Sequence, residues 1–251
     1  MPVHQLADLT WNDASTLSAD AVCLLPIGAL EAHGPHLPLQ TDVIIAEAMA
    51  RNAAGRIAGG GRTVLILPTL AYTPAPFAES FAGTLSIHPD HVVGQIVDIA
   101  RALTAVGCSR LMLINAHFDP THLSALSEAE DICRQEGLLQ VIFPNVTRKP
   151  WASRLGAEFA SGACHAGRYE GSIVLAARPD LVHEETMRSL EPNHLSLSDA
   201  VREGKQTFME VGGTQAYFGF PAEATAAEGE MLIATLGRIV EESLDMARPS
   251  P

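Results

Sequence analysis

Short, almost uninterrupted apolar runs recur along this chain, each followed by a longer segment with helical spacing. Val22-Cys23-Leu24-Leu25-Pro26-Ile27 is one such run, and Thr63 to Pro68, Arg110 to Asn115 and Leu138 to Pro144 are others. A strand that is apolar at nearly every position, not at alternate ones, has to be covered on both faces. Helical patterns over Val43 to Ile57, His88 to Val106, Thr121 to Glu136, Ala163 to Ala177 and Glu228 to Met246 supply the covers. The βαβα rhythm predicts an α/β fold, a three-layer αβα sandwich around a mainly parallel sheet. Thr69 to Ile87 and Asn193 to Glu223 read as irregular loops, and the tail from Ala247 to Pro251 as loose. No repeat or linker divides the sequence, so residues 1–251 read as a single domain.

Composition narrows the partners. A formal charge of -13 removes any general attraction to nucleic acid or to an anionic membrane. No apolar stretch is long enough to span a bilayer. Met1 to Asp8 lacks a basic region followed by an apolar core, so no secretory signal is expected. The four cysteines show no CxxC spacing, and three of them read as small buried hydrophobes with no disulfides. The expectation is a cytoplasmic protein acting on a small molecule.

The polar residues cluster where such sheets place ligands, just past the carboxyl ends of strands. Gly28-Ala29-Leu30-Glu31-Ala32-His33-Gly34-Pro35-His36-Leu37-Pro38-Leu39-Gln40-Thr41-Asp42 leaves the first apolar run. Glu31 and His33 are two apart, so in extended chain they point the same way. Asp42 stands at the start of a helix, where a simple N-cap is the alternative reading. His36 can equally be a packed imidazole. Asn115-Ala116-His117-Phe118-Asp119-Pro120 leaves the third run on the same side, so Glu31, His33, Asp42, His117 and Asp119 can converge. Mixed nitrogen and oxygen donors of this kind suit Zn²⁺, Mn²⁺ or Fe²⁺ over Ca²⁺. Five ligands exceed the needs of one catalytic zinc, which suggests two divalent ions sharing a carboxylate. Two such ions can hold a hydroxide between them and polarise a carbonyl.

A further cluster, Cys164-His165-Ala166-Gly167-Arg168-Tyr169-Glu170, heads the Ala163 to Ala177 segment. His165 near a helix start has lowered basicity and suits a proton carrier or a ligand. Glu170 needs a partner, either a metal, a ligand histidine or Arg168 on a solvated face. Cys164 beside His165 makes a poor nucleophile–base pair, since adjacent side chains rarely aim at one another. Gly59-Gly60-Gly61 is a turn and not a phosphate cradle, because no Lys-Ser/Thr pair follows it. Trp151 either walls a pocket for a flat substrate or packs in the core.

These motifs, in this order, resemble the creatininase family of metal-dependent amidohydrolases. The family's Gly-x-x-Glu-x-His-Gly-x-His-Leu-Pro-x-x-Thr-Asp signature is met throughout Gly28 to Asp42. Its Phe-x-Gly-Thr element is met at Phe81 to Thr84, its Asn-Gly-His with alanine at Asn115-Ala116-His117, and its His-Ala-Gly-x-x-Glu-Thr-Ser with glycine at His165 to Ser172. The resemblance implies a binuclear centre in which Glu31, Asp42 and His117 hold one ion and His33 and Asp42 the other, with Asp42 bridging. Asp119 or Glu170 would complete the second site. It also implies that His165 protonates a leaving nitrogen, and that Phe118 and Cys164 meet the substrate. Cys164 stands where creatininase has an acidic residue, which turns the expectation from creatinine to another small cyclic or formylated amide. A relative that trims a peptide precursor is the alternative, and a non-catalytic metal or ligand binder a third. The resemblance further implies a homo-oligomer, a ring-like hexamer.

Overall fold

In the computed structural model, residues 2–16 and 21–247 are described. Five strands form one parallel sheet: β1 (Val3–Gln5), β2 (Val22–Ile27), β3 (Val64–Ile66), β4 (Arg110–Asn115) and β5 (Gln140–Ile142). Their order across the sheet is β1-β3-β2-β4-β5. The helices are α1 (Trp11–Ser15), α2 (Thr41–Gly59), α3 (Pro89–Ala105), α4 (Pro120–Gln135), α5 (Ala157–Ser161), α6 (Arg168–Ala177), α7 (Glu184–Ser189), α8 (Leu197–Arg202), α9 (Phe208–Val211) and α10 (Ala226–Met246).

Alternation along the central strands divides the core in two. Val22 and Leu24 of β2 join Met112 and Ile114 of β4 beneath α2, α6 and α10. Cys23, Leu25 and Ile27 join Leu111 and Leu113 beneath α3 and α4. Both faces are therefore filled, as the unbroken apolar runs require. The chain leaves β2 for β3 on one side and returns through α3 to β4 on the other. The carboxyl ends of β2 and β4 thus flank the crevice where such sheets bind ligands. In that crevice Ile27 pairs with Asn115, and the Ala116 amide donates to the Ile27 carbonyl at 3.1 Å. Gly28 is required at the exit, because a Cβ there would lie 2.5 Å from the Val43 nitrogen of α2.

Three features depart from the sequence expectation. β1 is an additional strand that pairs with β3 at the sheet edge; Val3 and Gln5 are exposed, so no apolar run announces it. α6 begins at Arg168 and not at Ala163, because Ala166 has a positive φ of 51° that no helix accommodates. The stretch from Asn193 to Glu223 is not all loop, since it contains α8 and α9. All four cysteines are free thiols. No helix among the described residues is long and apolar enough to cross a membrane. The tail expected to be loose lies, beyond Ala247, outside the described residues.

Candidate metal centre

The loop after β2, the start of α2, the loop after β4 and the turn into α6 bring their polar side chains into one buried cluster. Glu31, His33, Asp42, His117, His165 and Glu170 are all at most 7% exposed. Three imidazoles share one arrangement, in which one ring nitrogen is tied to a backbone carbonyl and the other faces carboxylates. His117 Nε2 lies 2.8 Å from the Pro74 carbonyl, and its Nδ1 lies 2.9 Å from Asp42 Oδ2 and 3.2 Å from Glu31 Oε1. His33 Nδ1 lies 3.1 Å from the Glu31 carbonyl, and its Nε2 lies 3.2 Å from Asp42 Oδ1, 3.4 Å from Glu170 Oε2 and 3.8 Å from Glu31 Oε1. His165 Nε2 lies 2.9 Å from the Ala32 carbonyl, and its Nδ1 lies 3.7 Å from Glu31 Oε1. A carbonyl only accepts, so each tied nitrogen is an N–H donor and the tautomer is set. Tying the back of a ring in this way is how metal-ligating histidines are oriented.

The electrostatics follow from burial and from these short contacts. Burial pushes Glu170 up to about 8; His33 opposes the shift, and the Asp42 charge adds to it. Burial likewise raises Glu31. Burial would raise Asp42 too, but the His33 charge and the close approach of the His117 and His33 rings outweigh it and hold that carboxyl below its usual range. Burial opposes a charge on His33, yet Asp42 and Glu170 raise it to about 10. His117 is raised by Glu31 and Asp42 against the same penalty. His165 goes the other way, well below the ordinary imidazole value, because burial dominates and the His33 charge adds to it. It is therefore a neutral ring at neutral pH.

The donor set fits a divalent cation. His33 Nε2 and Asp42 Oδ2 are buried without a hydrogen-bond partner, and both point into the cluster. Among the described residues, three groups have ligand atoms within 4.8 Å of one another: Glu31, Asp42 and His117; His33, Asp42 and Glu170; and Glu31, His33 and His165. Asp42 belongs to the first two, turning Oδ2 to His117 and Oδ1 to His33. It does not act as a cap: α2 has Gln40 at its N-cap and no side-chain capping bond. Glu170, in turn, has no bond to Arg168, which reaches Glu223 and Glu228 instead.

Asp119 stands apart from these groups. It is the N-cap of α4, where its side chain accepts from the Thr121 amide at 2.8 Å. Its other oxygen lies 3.4 Å from the Phe77 amide nitrogen. Phe118 and Cys164 line a cavity of about 410 Å³ over the cluster, together with Glu31, Asp42, His117, Asp119, His165 and Glu170. Trp151 is not among the lining residues; it packs against the core, with the Arg154 guanidinium 5.5 Å from its ring. Burial raises the Cys164 thiol well above the ordinary cysteine value, and the Glu170 charge adds to the shift.

Sequence reasoning missed two contributors. Buried His122, on α4, meets Asn115 Oδ1 at 2.9 Å, and Asn115 in turn clamps His117 by accepting its amide N–H at 3.2 Å and donating to its carbonyl at 2.6 Å. Phe208, from the stretch read as loop, stacks 4.4 Å from His165. The spacing of His122 and Asn115, seven apart across a strand-to-helix turn, was the one available signal. Nothing in the sequence marked Phe208.

The sheet and this cluster define a class, α/β proteins with a buried carboxylate–imidazole site suited to divalent cations. Comparison with known proteins narrows it. The chain belongs to the creatininase family, whose model, described as creatinine amidohydrolase, matches residues 7–244. Mycofactocin precursor peptide peptidase of Mycobacterium tuberculosis is 30% identical over 241 residues, spanning 93% of this chain and 88% of its own. Creatinine amidohydrolase of Pseudomonas putida is 29% identical over 205 residues, spanning 70% and 73%. A solved mutant creatininase complexed with creatine superposes with a TM-score of 0.76 at 23% identity, covering 98% of this chain and 99% of that one. The fold and family read from the motifs are thereby borne out, and the named relatives are hydrolases.

Proposed function

We propose that this chain is a divalent-metal-dependent hydrolase that cleaves an amide C–N bond in a peptide. The observation that carries the metal reading is the set of tied imidazoles facing shared carboxylates. Glu31, Asp42 and His117 would hold one ion, and His33, Asp42 and Glu170 a second, with Zn²⁺ or Mn²⁺ matching the donors and Fe²⁺ also compatible. A bound divalent ion supplies a Lewis acid for the carbonyl oxygen and lowers the pKa of water. His165, neutral and with Nδ1 free to accept, takes a proton from the water that attacks the carbonyl and passes it to the leaving nitrogen. Phe208 packs against the ring of His165, tilted 39° to it, and with Phe77, Phe118 and Phe159 it gives the cavity an apolar wall.

The peptide reading is favoured over a small cyclic or formylated amide by the mouth of the cavity. The cavity shares Pro120, Leu123 and Thr147 with an open groove of about 740 Å³ along the outer face of α4. This neighbouring groove offers a surface for the rest of a peptide chain, whereas a small amide needs none. The relative named a precursor peptide peptidase supports the same choice. The test is metal-reconstituted protein against short peptides, lactams and formamides. Hydrolysis of peptides alone is the expected result. Turnover confined to lactams or formamides would return the chain to small-molecule chemistry, and activity that survives exhaustive chelation would refute the metal. A homo-oligomer, the assembly the family resemblance implies, is checked by mass in solution.

A further inference from the structure

Glu158 is a half-buried carboxylate that this chemistry does not use. It lies in the first turn of α5 and reaches across to the start of α6. Its Oε1 accepts the amide N–H of Arg168 at 2.9 Å and of Phe220 at 2.7 Å, and its Oε2 accepts that of Tyr169 at 2.7 Å. Arg168 and Tyr169 open α6, and the first amides of a helix have no partner within it. The N-cap residue is Gly167, which has no side chain to serve them. Glu158 is thus the cap of α6, supplied from another helix. Two glycines make room for it: a Cβ at Gly167 would lie 2.6 Å from Oε1, and one at Gly219 would meet the same oxygen.

Two side chains of the proposed reaction hang on this junction. Glu170 is the third residue of α6, and its Oε2 accepts the Ala166 amide at 2.6 Å while lying 3.4 Å from His33 Nε2. The His165 carbonyl accepts the Phe218 amide at 2.8 Å, two residues before the amide that Glu158 holds. Between them Ala166 keeps a left-handed φ of 51°, which an alanine adopts only when its surroundings impose it. Glu170 grips this turn from inside the cluster and Glu158 from outside it.

We propose that Glu158 is a positioning residue: by capping α6 and tying Phe220 to it, it holds Glu170 in the second ion site and His165 over Glu31. The inference rests on the metal-hydrolase reading for its catalytic meaning, but its geometric content can be tested without it. Glu158→Gln preserves size but offers one acceptor oxygen where three amides need two, and its NH₂ faces an N–H donor. The experiment measures, for wild type and Glu158→Gln, the affinity of each ion by chelator competition, kcat and KM on a peptide substrate, and thermal stability. It also records the His33 and His165 ring resonances of the metal-free protein.

One ion is expected to bind 10–100-fold more weakly, the usual effect of losing an outer orienting partner, while the other is unchanged. kcat should fall at least tenfold with KM within twofold, and both ring resonances should move. In a Glu170→Gln background the same change should leave ion affinity where Glu170→Gln alone puts it. Glu158→Asp keeps two acceptor oxygens and should recover part of the loss; it also serves if the glutamine variant does not fold. Lowered thermal stability with unmoved rings and wild-type affinities would make Glu158 a brace and overturn the proposal. Rings that move in Glu158→Gln, together with a wild type that hydrolyses nothing, would uphold it and count against the hydrolase reading alone.

Discussion

Replacing Asp42 by asparagine tests the shared-ligand geometry most directly. Its two oxygens face different histidines, 2.9 Å from His117 and 3.2 Å from His33. A carboxamide keeps the volume but presents a single oxygen, so at most one ion can retain its ligand set. The size of the effect can be read through stability. With free metal 100-fold above each dissociation constant, one ion stabilises the fold by about 2.7 kcal/mol and two by about 5.4 kcal/mol. A chain of this length moves roughly 2–4 °C in Tm per kcal/mol. Chelation should therefore lower the wild-type Tm by roughly 11–22 °C. In Asp42→Asn the drop should shrink to that of one ion or vanish, and in His117→Ala about half should remain. A helix cap, by contrast, is worth about 1 kcal/mol with or without metal. The assay is a thermal melt with and without chelator, alongside elemental analysis. An Asp42→Asn protein that still loses the full wild-type increment on chelation would refute the reasoning.

Other expectations follow from the same geometry. His165→Ala should keep its metal yet lose about 10²–10⁴-fold in turnover, the usual worth of a general acid or base, as single-turnover kinetics with elemental analysis would show. Cys164→Ser should have a modest effect, because burial keeps that thiol protonated at neutral pH; complete loss in this variant, with wild-type activity surviving chelation, would install the cysteine as nucleophile. His36 is fully buried, and burial, then the His33 charge, depresses it to about 4. Above pH 6.5 its ring is neutral in both folded and unfolded chains; between 6.5 and about 4 only the unfolded chain takes the proton. Its contribution is thus fully present above pH 6.5 and is lost as pH falls through that window, at up to about 1.4 kcal/mol per pH unit. Urea unfolding of metal-free protein should show a shallower acid dependence in His36→Gln than in wild type.

What could be read in advance, and what could not, divides along physical lines. β2 and β4 were legible because a strand covered on both faces writes an unbroken apolar run. β1 was not, because a three-residue edge strand with exposed ends has no core face to advertise. Glu31, His33, Asp42 and His117 were legible because two strand ends in register carry them on short loops. Asp119 was ambiguous for a chemical reason: Asp-Pro opens helices as readily as aspartate binds cations, and here its oxygens face the Thr121 and Phe77 amides. Glu170 had three partners open to it, a metal, a ligand histidine or Arg168, and the fold turned it inward while Arg168 found Glu223 and Glu228. Phe208 and Glu158 reach the site from other elements, and no local spacing encodes an approach of that kind; His122 left only its seven-residue spacing from Asn115.

The tied histidines carry a consequence for how the protein matures. With Nδ1 of His33 and Nε2 of His117 donating to carbonyls, the opposite nitrogens face carboxylate oxygens at 2.9–3.4 Å. In metal-free protein burial opposes a charge on either ring, but those facing carboxylates, chiefly Asp42 with Glu170 at His33 and Glu31 with Asp42 at His117, lift both above ordinary imidazole, so the nitrogens hold protons. Loading is then an exchange, cations in and acid out, and not the filling of an idle socket. Apparent metal affinity rises with pH for as long as those protons remain to be displaced. Acidification therefore works against metal uptake at the same nitrogens that would hold the ions, and metal titrations of the protein should release acid.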